Sequence, residues 1–199
     1  MFAEFALLVE GSLFLIGCLN LLPIYVSFRK RIAPQRWEFQ CRILNCIIFR
    51  NEKLNLIGVV ESPNCAFCQE EAESVEHLLF SCRISSNFLK HVLSWLRHYG
   101  PHVGTINESD VIFGKFDIVE DYILINHILR IGKYYIYYRK CQNSLPSIRS
   151  FIARTRRVIN IELHIAREKN ILLFHFQKWE KLTNALNSSY NSFKIFPRF

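Results

Sequence analysis

Four side chains that bind borderline metal ions fall within eighteen consecutive positions: Cys65, Cys68, His77 and Cys82, in the order Cys-x2-Cys-x8-His-x4-Cys. Two cysteines separated by two residues can turn both sulfurs toward one point, and a second pair from a nearby segment then completes a tetrahedron. No hydrophobic pattern in the chain constrains it as strongly, because one ion held this way fixes two segments against each other. A helix beginning near Ser74 presents His77 on its first turn. Cys82, five residues on, lies about 140° further round an ideal helix. Both residues reach one ion only if that helix ends or bends near Ser81, and the polar run Arg83 to Ser86 suits such an end.

The competing reading is ordinary buried cysteines and a core histidine. A complete quartet flanked by Pro63 and polar residues favours structural Zn2+. Four protein donors leave no position for water, so catalytic zinc is not expected. A redox Cys-x-x-Cys would need a βαβ setting, which Cys65 and Cys68 lack. Cys18, Cys41, Cys46 and Cys141 read as buried filler, and His91, His127 and His175 as structural.

Around this quartet the sequence predicts a mostly α fold: a small helical domain with a Cys-Cys-His-Cys zinc knuckle, then a basic helical C-terminal part. Its 199 residues suffice for one domain or two small ones, and seven Gly and six Pro leave little for a turn-rich β architecture. Half the residues are hydrophobic, which excludes a disordered chain. Trp37, Cys41, Leu44 and Ile48 recur at helical spacing and predict a helix over about 35–49. Asn51 is placed to cap a short second helix that stops at Gly58. Another helix carries Phe88, Leu89, Val92 and Leu96 on one face, and the glycine-bearing stretch 99–117 reads as a linker. Tyr122 to Tyr138 reads as a helix, Ser147 opens a long one to about Lys169, and a last one carries Phe174, Trp179, Leu182 and Leu186. The implied organisation is an apolar segment 1–30, a zinc-knuckle module 35–98, a basic and aromatic helical region 118–187, and a tail 188–199.

Eighteen uncharged residues, 11–28, precede Arg29, Lys30 and Arg31. That length is at the lower edge for a membrane-spanning helix, and the basic cluster would leave the bulk of the chain in the cytoplasm. A buried helix or a non-native start is the other reading. Seven cysteines, an odd number, suit a reducing intracellular compartment, cytoplasmic or nuclear.

Lys and Arg exceed Asp and Glu by 25 − 17 = 8. Between Arg130 and Lys169 ten basic residues face only Glu162 and Glu168. Arg139, Lys140, Arg149, Arg154, Arg156 and Arg157 are the candidates for phosphate contacts with RNA or DNA. Tyr134, Tyr135, Tyr137 and Tyr138 interleave with them; their helical spacing favours the core, while an exposed one could stack on an unpaired base. Glu70, Glu71, Glu73 and Glu76 make the zinc loop acidic, so the metal is expected to brace the fold while flanking helices meet phosphate.

The segment WEFQCRILNCIIFRNEKLNLIGVVESPNCAFCQEEAESVEHLLFSC, followed by a helix with Trp95, resembles the zinc-binding region C-terminal to reverse transcriptase in LINE-type (non-long-terminal-repeat) retrotransposons, here as a detached piece. Matching features are Asn51 to Leu54, Ile57–Gly58, Ser-Pro-x-Cys and Glu-His-Leu before the last cysteine, with looser likeness through Phe113–Gly114 and Cys141 to Ser147. The resemblance implies that Cys65, Cys68, His77 and Cys82 are the metal ligands. It also implies a module that helps a polymerase hold its template or target, with a reverse transcriptase core as a partner and no small-molecule substrate. Asp110 and Asp117 lack a Tyr-x-Asp-Asp context, so polymerase catalysis, which needs paired carboxylates on two metal ions, is not expected. A second reading is a zinc-braced protein-interaction module, membrane-anchored through 11–28.

Overall fold

A recurring backbone device decides where helices stop in this protein. The computed structural model describes residues 34–98, 103–115 and 121–192. In them lie α1 (Pro34–Leu44), α2 (Asn51–Leu56), a π-helical turn (His77–Ser81), α3 (Arg83–His98), α4 (Glu108–Phe113), α5 (Tyr122–Cys141), α6 (Ile148–Glu168) and α7 (Leu172–Ser192). The fold is mostly α, and the single β-bridge among the described residues joins Asn64 to Ala72. Four helices end with a left-handed residue: Cys46 after α1, Gly58 after α2, Asn143 after α5 and Asn170 after α6. At each end the paired carbonyl bonds of a Schellman motif form, for instance Cys46 N–H to Ile43 O and Ile47 N–H to Arg42 O. Gly and Asn enter this conformation readily, whereas cysteine carries no such signal. This is why α1 stops at Leu44 and not near residue 49.

Several expectations need correction. Asn51 does not cap α2. It is the first helical residue, and its amide side chain reaches the Asn64 carbonyl at 2.8 Å. The stretch read as a linker contributes α4 and buries Val103, Val111 and Ile112 in its described part. Cys46 and Cys141 are exposed and Cys41 is only half-buried, so these thiols are not core filler. Phe174 lies on the outer face of α7 with Leu173 and Phe176, while Trp179 and Leu182 are buried. The same helix continues to Ser192, past the point where a tail was expected. The apolar segment 11–28, with Cys18, lies outside the described residues. Among the described residues no helix is long and apolar enough to cross a membrane.

The core gathers aromatic side chains from three helices. Phe88 and Trp95 of α3 and Tyr135 of α5 surround Phe151 of α6, with ring centroids 5.4, 6.1 and 5.7 Å from it. The Phe113–Gly114 turn is clamped by Asn126, which accepts from the Lys115 N–H at 2.7 Å and donates to the Lys115 carbonyl at 2.8 Å. Gly114 holds φ at +103°, in a region closed to most side chains. Lys133 is buried, its ammonium donating to Gln40 Oε1 and the Ile112 carbonyl, and burial lowers it to about 7.

Beneath α6 and α7 a second buried polar group forms. Glu162 is fully buried and receives Trp179 Nε1–H at 2.9 Å and the Lys178 ammonium at 2.5 Å. His127 Nε2 lies 3.1 Å from its other oxygen. Burial lowers His127 to about 3. Burial opposes the charge of Glu162, but His127 and Lys178 outweigh it and hold the carboxyl below its usual range. Both folded values are depressed, so the unfolded chain binds more protons and acid favours unfolding. The His127 contribution is lost as pH falls from 6.5 toward 3, and the Glu162 contribution as pH falls below 4.5. Urea unfolding followed by circular dichroism is therefore expected to show stability declining from pH 6.5 downward, and Glu162→Gln is expected to flatten the limb below pH 4.5.

Candidate metal centre

The first two donors sit on a tight turn. Cys65 N–H bonds the Glu71 carbonyl at 2.7 Å and Glu73 N–H bonds that of Pro63 at 2.8 Å, which pins the two arms of the loop together. Gln69 follows the second cysteine at φ +61°, a conformation that favours glycine. It is held there by its N–H on the Cys65 carbonyl and by Asn64 Nδ2–H on its own carbonyl, each at 3.0 Å.

The second pair uses a different device. Ser74 Oγ accepts the His77 N–H at 3.0 Å and starts the helical turn, as its position in the sequence suggests. From His77 the winding is π-helical, closed by Cys82 N–H on the His77 carbonyl at 2.8 Å. An i→i+5 bond widens the winding and brings residues five apart nearer to alignment. The turn thus reduces the 140° offset that an ideal α-helix would impose, and the winding stops at Ser81. Cys82 then serves as the cap of α3: its carbonyl accepts the Ser86 N–H at 2.8 Å, and the amides of Ile84 and Ser85 favour its thiolate.

All four side chains are buried, and one donor atom from each lies within 4.8 Å of the other three. Cys65 Sγ is 3.8 Å from Cys82 Sγ, and Cys68 Sγ is 3.3 Å from His77 Nε2. A tetrahedral zinc with ordinary bond lengths needs about 3.8 Å between sulfurs and about 3.6 Å between sulfur and nitrogen. The donor set and its spacing therefore fit a zinc ion. The Cys65–Cys82 hydrogen bond lowers the Cys82 thiol to about 5, aided by the α3 amides, and raises Cys65 well above its ordinary value. Glu71 Oε2 lies 3.0 Å from His77 Nδ1, where a carboxylate orients the ring so that Nε2 faces the other donors.

The acidic residues between the second and third donors do not form one repelling surface. Glu71 serves His77, and Glu70 pairs with Arg83 at 3.2 Å. Glu73 is fully buried. Its carboxylate accepts the Asn51 N–H at the start of α2 and the Ala66 N–H inside the cysteine turn, both at 2.8 Å, and it pairs with the Lys140 ammonium at 2.5 Å. Lys140 also donates to the Phe49 carbonyl at 2.8 Å. This residue was a candidate for phosphate contact, and the structure corrects that: its ammonium is spent inside the protein. Nothing in the composition marks Glu73 apart from its acidic neighbours.

The other basic candidates lie at the surface. Arg139 donates to the Leu145 carbonyl at 3.0 Å. On α6, Arg149 and Arg157 are exposed, and Arg154 and Arg156 are partly so. Of the tyrosines, Tyr135 is buried, Tyr134 and Tyr137 pack on Phe39, and Tyr138 is 37% exposed.

Residues 23–88 match the family described as zinc-binding in reverse transcriptase. The matched segment contains all four donors. It covers that accessory region alone and includes no polymerase catalytic domain. No curated protein and no solved structure matches the chain.

Removing the cation from the buried pair leaves Glu73 charged and uncompensated, which costs about 3–5 kcal/mol. Lys140→Met is accordingly expected to lower unfolding free energy in urea by about that amount. A loss below about 1 kcal/mol, the value of a surface pair, would contradict the buried arrangement.

Proposed function

We propose that this chain is a non-catalytic, zinc-stabilised module that binds nucleic acid, derived from the region following reverse transcriptase in LINE-type retrotransposons. The observation that carries the reading is the buried convergence of Cys65, Cys68, His77 and Cys82 inside a segment similar to that family. Zinc at this site would lock the cysteine turn to the π-helical turn and so to the start of α3. Its role is structural: four protein donors leave no open coordination position for substrate or water.

Binding of RNA or DNA is assigned to α6, where Arg149, Arg154, Arg156 and Arg157 supply cations near the surface. A second reading, a protein-interaction module, is favoured by one observation: Leu56 at the end of α2 and Ile47, Phe49, Ile57 and Val59 on either side of that helix are all more than half exposed. A reverse transcriptase core is a fitting partner for such a surface. Salt separates the two readings, since phosphate binding falls steeply with ionic strength and apolar docking does not.

Purified protein is expected to hold one zinc per chain by plasma emission spectrometry. His77→Ala and Cys82→Ser are expected to lose it, and a strong chelator to unfold the knuckle segment in hydrogen exchange. Retention of zinc by both variants would refute the ligand assignment. For the basic face, reversing Arg149, Arg156 and Arg157 to Glu is expected to weaken RNA binding and to lower its salt slope by about one per lost phosphate contact. Unchanged affinity in a filter-binding titration would move the nucleic-acid site elsewhere.

A further inference from the structure

A ladder of planar groups runs from the core to the surface through α1, α5 and α6. Phe39 is buried and meets Tyr134 edge to face, with centroids 5.4 Å apart. The guanidinium carbon of Arg154 lies 5.3 Å from the centre of the Tyr134 ring and 4.6 Å from that of Tyr138. Tyr138 ends the ladder with 37% of its surface exposed.

Two features of Arg154 are unusual for a structural cation. It is held by two aromatic rings, and no carboxylate or carbonyl among the described residues takes its hydrogen bonds. A ring face attracts the charge of a guanidinium and occupies no carboxylate or carbonyl partner of its five N–H donors. The rings therefore hold the group while its donors stay available for an anionic oxygen. Immobilising an arginine before the ligand arrives lowers the entropy lost on binding. Beside it, Tyr138 keeps 37% of its surface exposed, and Arg157, one turn along α6, adds a second cation.

A phosphate oxygen next to a flat apolar ring describes a nucleotide whose base has left its stack. A duplex offers phosphates but keeps its base faces covered. Resting on the nucleic-acid reading above, we propose that Arg154 and Tyr138 form a subsite for single-stranded nucleic acid, in which Arg154 takes a backbone phosphate and Tyr138 stacks on an unpaired base. Base–aromatic stacking tolerates any sequence, since every base has a face to offer.

The test is fluorescence anisotropy on the full chain, purified with zinc in the buffer, at one fixed salt concentration. Three probes are compared: oligo(dT), an abasic strand of equal length, and a blunt DNA duplex. Tyr138→Leu is expected to weaken oligo(dT) binding about tenfold and the other two probes much less, through the loss of one of the two rings that hold Arg154. Tyr138→Phe, which keeps the ring, is expected to match the unaltered protein. Arg154→Ala is expected to weaken all three. A Tyr138→Leu protein that binds oligo(dT) as before, or that loses all three probes alike, would overturn the subsite while leaving salt-sensitive nucleic-acid binding intact. Failure of the unaltered protein to bind any probe would remove both readings. Photocrosslinking of a thiothymidine-containing oligonucleotide to the unaltered chain needs no variant to fold. A crosslink on the peptide containing Tyr138 supports the subsite, and crosslinks confined to other helices overturn it.

Discussion

The buried pair of Glu73 and Lys140 is the junction on which the arrangement depends. A carboxylate with no exposed surface must satisfy its oxygens inside the protein. Glu73 does so with the first amide of α2, an amide inside the cysteine turn and a cation from α5. Three segments distant in sequence are thereby fixed to one side chain. The turn that presents Cys65 and Cys68 is thus attached to the helical core by a route independent of the four metal donors.

The site was more legible in the sequence than its surroundings. Metal donors announce themselves because few other reasons place cysteine and histidine at such spacings, and Ser74 at the start of the turn carries the usual capping chemistry. Sequence reasoning also located the need for a bend near Ser81 but not its form. A π-turn leaves no compositional mark; it appears when tertiary contacts require residues five apart to align. Helix ends followed the same rule. Gly58 was readable as a stop, while Cys46 occupies the equivalent backbone position without any propensity for it. That contrast accounts for the overlong expectation for α1. The inward and outward faces of α7 were misjudged at Phe174, because both faces of its first turns carry large apolar residues and periodicity cannot choose between them.

Charge was the least transferable sequence property. A count of basic residues treats each as available to solvent, yet Lys133 and Lys140 are both buried on α5 and bonded to internal oxygens. On α6 the outcome differs, with Arg149 and Arg157 exposed. The distinction lies in the oxygens within reach: Lys133 meets Gln40 and Ile112, and Lys140 meets Glu73 and Phe49, whereas Arg154 of α6 is held against two tyrosine rings. The electrostatic surface of this protein is therefore concentrated more on one helix than the linear charge distribution indicates.

Cys82 performs three tasks at once: it closes the π-turn, offers its sulfur beside that of Cys65, and accepts the Ser86 amide of α3 on its carbonyl. Each task fixes the angular register of the helix that follows. One residue inserted or deleted between His77 and Cys82 would rotate α3 by about 100° relative to the donors. Such a shift would carry Phe88 and Val92 away from the interior and bring charged side chains inward. The spacing between His77 and Cys82 therefore tolerates substitution more readily than any change of length.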